Sequence, residues 1–230
     1  MQPLLGYEAR FVAGFFITLG VAAIALLLAV LLGLAGAAAK LSAGKVTQRV
    51  AGTYTTVVRG IPELLFILVV YYDLQRLINF AYAQLGNDGG FIIPPFWAGA
   101  LGIGIFYGAY MTETFRGAML AVPRGQREAA LSLGLPPQLL FWRIIFPQML
   151  RHALPGIRNN WLVLLKATAL VSVIGLSDDM MAVANQAKAK TREPFLFYFA
   201  ASIGYLLLTA ASGTIFNFLE KRARRGLDDA

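Results

Sequence analysis

Residues 127–147 read REAALSLGLPPQLLFWRIIFP: two short helical patterns meeting at Gly134-Leu135-Pro136-Pro137. Glu128, Ala129, Ala130, Leu131 and Leu133 suit a brief helix with an apolar stripe, stopped by Gly134 and the two prolines. Pro137 opens a second helix, because its fixed φ and missing N–H are harmless in a first turn. Leu139, Leu140, Trp142, Arg143 and Phe146 carry that helix to an expected end near Pro147. Each arm is about 10 residues, too short to be stable in isolation. The pair therefore needs a surface to lie on, and periodicity alone leaves two: the membrane interface or a partner protein.

The surrounding sequence is a membrane protein's. Of 230 residues, 58% are hydrophobic and 14% charged, against about 25% charged in a soluble domain. Mean hydropathy is +0.64. Uncharged runs begin at Phe11 (29 residues), Gly89 (24) and Pro194 (26), each long enough to cross a hydrocarbon core of about 30 Å. Two more candidate spans carry isolated charges: about Thr55 to Leu77, with Glu63 and Asp73, and about Asn159 to Leu176, with Lys166. Five spans are expected. The first is too long for a cleaved leader and lacks a basic head.

Basic residues orient these spans. The first inter-span link holds Lys40, Lys45, Arg49 and Arg59. The third holds Arg116, Arg124, Arg127, Arg143, Arg151 and Arg158, and the tail Lys221, Arg222, Arg224 and Arg225, so these segments carry 14 of the 20 basic residues. The opposite side has Arg10, Arg76, Lys188, Lys190 and Arg192. The excess marks the cytoplasmic side, giving an outward N-terminus and an inward C-terminus. The 127–147 stretch is then cytoplasmic. The net charge of +8 reads as topology and attraction to anionic lipid, not as nucleic-acid binding.

Glu128-Ala129-Ala130, three residues, Gly134, nine residues, Ile144, one residue and Phe146-Pro147 resemble the EAA loop of binding-protein-dependent ABC importer permeases. Phe146 stands where that loop usually has Leu. Arg59-Gly60-Ile61-Pro62-Glu63-Leu64, the run from Tyr107 to Ala118, and Pro155 to Leu170 resemble the polar amino-acid branch, closest to the Q-type subunits of histidine and lysine/arginine/ornithine importers. The resemblance covers nearly the whole chain. It implies an all-α, five-span type I permease fold over residues 1–230, with a cytoplasmic coupling loop at about 123–148. Glu128, Ala129, Ala130, Gly134, Ile144 and Pro147 would then couple to an ATPase.

Partners follow from the same resemblance. They are a second homologous permease subunit, two ABC ATPase subunits, and a periplasmic or lipid-anchored amino-acid binding protein, in a bacterial cytoplasmic (inner) membrane. The chain itself has no G-x-x-x-x-G-K-[ST] loop, since Gly36 to Ser42 lacks the glycine before lysine. No cofactor is expected here; ATP and Mg would sit on the ATPase partners. Cysteine is absent and His152 is the lone histidine, so no metal cluster and no catalytic residue is expected.

Ionisable groups within spans are functional candidates, because unpaired charge in hydrocarbon is costly. Glu113, after the cluster Tyr107, Tyr110 and Thr112, reads either as a local pair with Arg116 or as a carboxylate on a substrate path. Lys166 reads as a snorkelling or interface residue, or as a contact for substrate carboxylate. Related permeases often have Asp after this lysine, where this chain has Ala167. Arg59, Pro62 and Glu63 read as a kinked span entry with a local pair, or as a gate. Asp178 and Asp179 read as a docking surface or a solvated loop. Tyr71, Tyr72 and Trp97 read as interfacial anchors, and the glycines Gly14, Gly20, Gly99, Gly102, Gly104 and Gly108 as close-packing positions.

The expected function is the transmembrane subunit of an ATP-driven importer for histidine, basic or other polar amino acids. The rival is a self-sufficient secondary transporter or channel, whose folds usually show inverted repeats; no clear internal repeat is visible. A membrane-embedded enzyme lacks a nucleophile or metal constellation.

Overall fold

The structure is a computed structural model that describes residues 6–86 and 90–224, with only the backbone at Arg224. Gly89, at the head of the third uncharged run, and Arg225 of the basic tail lie outside the described residues. Every regular element among the described residues is helical: α1 (Glu8–Leu41), α2 (Lys45–Gly60), α3 (Glu63–Gln84), α4 (Pro95–Ala121), α5 (Arg124–Ser132), α6 (Pro137–Leu140), α7 (Phe146–Ala167), α8 (Met180–Thr191) and α9 (Pro194–Arg224). A π turn, Phe141–Ile145, joins α6 to α7, and a 3₁₀ segment, Thr168–Ile174, follows α7.

The core is built on small residues. α1 buries Thr18, Ala22, Ala25, Ala29, Gly33 and Ala37 along one face, while Val12, Phe16, Leu27 and Leu31 are exposed on others. Large apolar groups outside and small ones inside suit a helix that meets lipid outward and backbone inward. The partner is α4, which also packs against α2, α3 and α7. A Cβ on Gly108 would lie 2.7 Å from the Tyr54 hydroxyl oxygen and 2.9 Å from Leu32 Cβ. On α1, a Cβ on Gly33 would collide with Met111. Glycine at these two positions lets the helices approach.

Four helical stretches are long and apolar enough to cross a membrane: Glu8–Leu41, Glu63–Gln84, Pro137–Ile174 and Pro194–Ala223. α4 is not among them, although its 27 residues make a rod of about 40 Å. Its glycines, tyrosines and Trp97 lower its hydropathy, even over the uncharged stretch 95–112. A helix surrounded by others has little lipid to satisfy and tolerates that composition.

Two expected spans are corrected. The run Thr55 to Leu77 is not one helix, because the chain breaks between α2 and α3. Ile61 is extended (φ −97°, ψ 139°) and Pro62 has ψ 133°. A residue before proline is pushed out of the helical region, and Pro62 has no N–H to continue the ladder. The second correction concerns Pro147, which does not end a helix. The Phe146 N–H bonds to the Phe141 carbonyl, five residues back. That widened turn falls where the Pro147 ring would otherwise meet the Arg143 carbonyl. The chain therefore runs helically from Pro137 to Ile174, and the expected span Asn159 to Leu176 is its second half.

The link from α3 to α4 is held on α3: the Ile93 N–H donates to Gln75 Oε1 at 2.8 Å and the Phe91 N–H to Asn79 Oδ1 at 2.8 Å. Beyond the 3₁₀ segment, α8 packs against α9 and α1. Asp179 caps it, accepting the Met181 N–H at 3.0 Å.

Candidate functional site

The break at Pro62 builds two adjoining cavities. One, of about 770 Å³, is lined by Lys40, Thr55, Arg59, Tyr110, Glu113 and Arg116, among others. The other, of about 360 Å³, is lined by Pro62, Glu63, Tyr107, Tyr110, Asn159 and Asn160, with Phe106 and Val163. Tyr110 belongs to both walls.

The larger cavity is basic, with three cations against one carboxylate. Glu113 is fully engaged: Arg116 Nε donates to Oε2 at 2.9 Å, and Lys40 Nζ pairs with Oε1. Lys40 also donates to Thr55 Oγ1 at 2.6 Å, so α1, α2 and α4 are tied at one point. The Arg59 guanidinium lies over the Tyr110 ring, 5.0 Å from its centroid, within cation–π range.

In the smaller cavity, the Tyr107 hydroxyl donates to Glu63 Oε2 at 3.2 Å. Glu63 Oε1 is buried and has no hydrogen-bond partner among the described residues. Aromatic contacts Phe66–Phe106 and Phe106–Tyr107, both at 5.5 Å, brace this wall. Asn160 Nδ2 donates to Thr114 Oγ1 at 3.0 Å, which leaves Asn159 the more exposed amide.

Of the sequence-predicted residues, Arg59, Pro62, Glu63, Tyr107 and Glu113 therefore gather around Tyr110. Thr112 does not. Its side chain is wholly buried, donates to the Gly108 carbonyl at 2.8 Å and faces Gly36. Lys166 is exposed on α7 and lines neither cavity. Arg59 and Glu63 do not share a helical face, because the break separates them. Lys40, which reads from sequence only as a topology charge, is a central partner. Asn159 and Asn160 give no signal beyond the motif in which they stand.

Asp178 and Asp179 also part company. Asp178 is exposed, 4.0 Å from Arg10. Asp179 is 1% exposed and neither docking surface nor solvated loop. Burial pushes its carboxyl up to about 6, against the opposing pull of the Met181 N–H and other backbone donors.

Beyond the C-terminal end of α4, α5 and α6 form an elbow. Gly134 takes φ +72°, a conformation that costs other residues about 1–2 kcal/mol. The Gly134 N–H bonds to Leu131 O at 2.9 Å and the Leu135 N–H to Ala130 O at 3.1 Å, closing the turn that ends α5. Ala130 is the buried residue of α5; Glu128 and Ala129 are exposed. Leu131, Leu133, Leu139 and Trp142 are exposed apolar groups on the same elbow. Ile144 lies half-buried within the π turn, and Pro147 is exposed in the first turn of α7. Phe146 packs on Trp142 (centroids 5.1 Å) and Phe141 (6.0 Å).

Similarity to known proteins extends over nearly the whole chain. The family described as "Binding-protein-dependent transport system inner membrane component" matches residues 25–225. The chain belongs to this family. Among its relatives, the histidine/lysine/arginine/ornithine transport system permease protein HisQ of Salmonella typhimurium is 45% identical, covering 99% of each chain. The octopine transport system permease protein OccQ of Rhizobium meliloti is 44% identical over 91% of this chain and 88% of its own. A crystal structure of an amino acid ABC transporter with histidines superposes at a TM-score of 0.79, with 32% identity, over 95% of this chain and 96% of that one. This family membership puts the two cavities and the elbow on a transport protein.

Proposed function

We propose that the chain is the transmembrane permease subunit of an ATP-driven importer for histidine, basic or other polar amino acids. The observation that carries this reading is the elbow: Glu128 and Ala129 exposed on a short helix, turned by Gly134 and stiffened at Phe146 by aromatic packing. The substrates after which these relatives are named, histidine, lysine, arginine, ornithine and octopine, all carry a cationic or polar side chain.

In this reading five spans cross a bacterial inner membrane: α1, the broken α2–α3 pair, α4, the α7 helix and α9. The distribution of basic residues puts the N-terminus outside and the elbow in the cytoplasm. A second, homologous permease subunit completes the path, and a binding protein delivers the substrate from outside. Two ATPase subunits grip residues 123–148, with Glu128, Ala129, Ala130, Gly134, Ile144 and Pro147 at the contact. They hold ATP and Mg and do all the hydrolysis; this chain is not catalytic. ATPase closure shifts the elbow, and because α6, the π turn and α7 are continuous, the shift travels directly into a span. Access then switches between two states.

Co-purification tests the reading. Glu128→Lys and Gly134→Trp retain membrane insertion and lose the ATPase subunits; full retention and full transport in both variants sink it.

A further inference from the structure

We propose that Glu63 is the specificity-determining residue through which this subunit selects a substrate with a positively charged side chain. The proposal rests on the importer reading above and names the chemistry of its site.

Two carboxylates border the cavities, and they differ in one respect. Glu113 has a cation on each oxygen, Lys40 on Oε1 and Arg116 on Oε2. Glu63 has a phenol on Oε2 and nothing on Oε1, which is shielded from solvent. Its natural partner by spacing is Arg59, four residues earlier. The break at Ile61–Pro62 sends Arg59 to the Tyr110 ring instead. No lysine or arginine among the described residues pairs with Glu63. Acidic groups within membrane spans pair or line a functional cavity, and this one faces a cavity of about 360 Å³.

The rest of that cavity suits an ammonium or guanidinium head. Tyr107 and Tyr110 present aromatic rings, and Asn159 an amide. Aromatic faces and a carboxylate together attract cations. Tyr110 already holds one guanidinium, that of Arg59. On the far side of Tyr110 the balance is positive, with Lys40, Arg59 and Arg116 against Glu113. A substrate with a cationic head and a carboxylate tail would meet Glu63 with the head and the basic cavity with the tail. The polarity of the two cavities thus sets its orientation.

The test uses the complete transporter, with ATPases, sister subunit and binding protein, and two probes of nearly identical shape, L-arginine and uncharged L-citrulline. Binding to the purified permease–ATPase complex is measured by equilibrium dialysis, alongside ATP-dependent uptake into proteoliposomes. In Glu63→Gln the arginine-to-citrulline affinity ratio falls by about 10- to 100-fold, the range set by losing one charge-assisted contact. Glu63→Asp, which keeps the charge and shortens its reach, gives an intermediate ratio. Retained ATPase subunits and basal hydrolysis show that each variant is assembled. An unchanged ratio in whichever of the two variants assembles overturns the proposal. Failure of the importer reading looks different: the wild-type assembly takes up no amino acid with ATP, whatever the ratio.

Discussion

Arg59 and Glu63, four residues apart, line different cavities that share Tyr110 as a wall. In an unbroken helix they would face each other and pair. Proline at position 62 prevents this. Pro62→Ala restores an N–H and frees Ile61 to become helical, so α2 and α3 gain a continuous ladder. The expected outcome is greater amide protection at residues 60–63 in hydrogen exchange, with transport reduced at least several-fold. Unaltered transport together with increased protection would show that the separation of the two charges is unimportant.

Lys40, Thr55, Glu113 and Arg116 tie three helices together, and the Lys40 and Glu113 side chains are only 17% and 22% exposed. Removing either partner leaves a poorly solvated charge behind. Lys40→Met and Glu113→Gln are each expected to destabilise the detergent-solubilised protein by about 1–3 kcal/mol. The double variant should recover part of that loss, with a coupling energy of about 0.5–2 kcal/mol. Thermal unfolding of the four proteins closes the cycle, and additive losses contradict a direct pair.

The elbow turn offers a graded test. Gly134 has φ +72°, and a Cβ there meets no atom within 4 Å, so any penalty comes from the backbone alone. Asn tolerates this conformation better than Ala. ATPase retention in pull-downs is expected to rank Gly134, then Gly134→Asn, then Gly134→Ala. Equal retention by all three would mean that the turn does not shape the docking surface.

The elbow was legible in the sequence because its determinants are local: an apolar stripe, a glycine where φ turns positive, and a proline fit for a first turn. Pro147 misleads for the opposite reason. Its usual penalty is relieved by a π turn five residues long, which no hydrophobic period announces. Long uncharged runs point to α1, α4 and α9 directly, but not to the neighbours that surround α4. Pairings between distant elements leave no trace in spacing. Lys40 reads as one more loop charge until α4 brings Glu113 to it. Thr112 looks like a member of a polar cluster, yet a helix turn of about 100° per residue sends it inward to Gly36 while Tyr110 and Glu113 face the cavities. Asp179 sits beside Asp178 in a polar run, and only the packing of α8 separates a buried cap from a solvated neighbour.

Asp179 yields the last prediction. Its carboxyl is pushed up to about 6 by burial, above the roughly 3.9 of an unfolded aspartate, so the fold favours the protonated form. The stabilisation is therefore fully present below about pH 4 and is lost as pH rises through 6, leaving a cost on the order of 2–3 kcal/mol at higher pH. Asn is as good an N-cap as Asp and carries no charge to bury. Asp179→Asn should keep α8 capped through the Met181 N–H, raise the melting temperature at pH 8, and flatten its dependence between pH 4 and 7. Melting curves for both proteins across that range make the check, with Asp178→Asn as the exposed control, whose profile should follow the wild type far more closely. A variant less stable than wild type at pH 8 would mean that the ionised carboxylate has a partner and holds α8 through its charge.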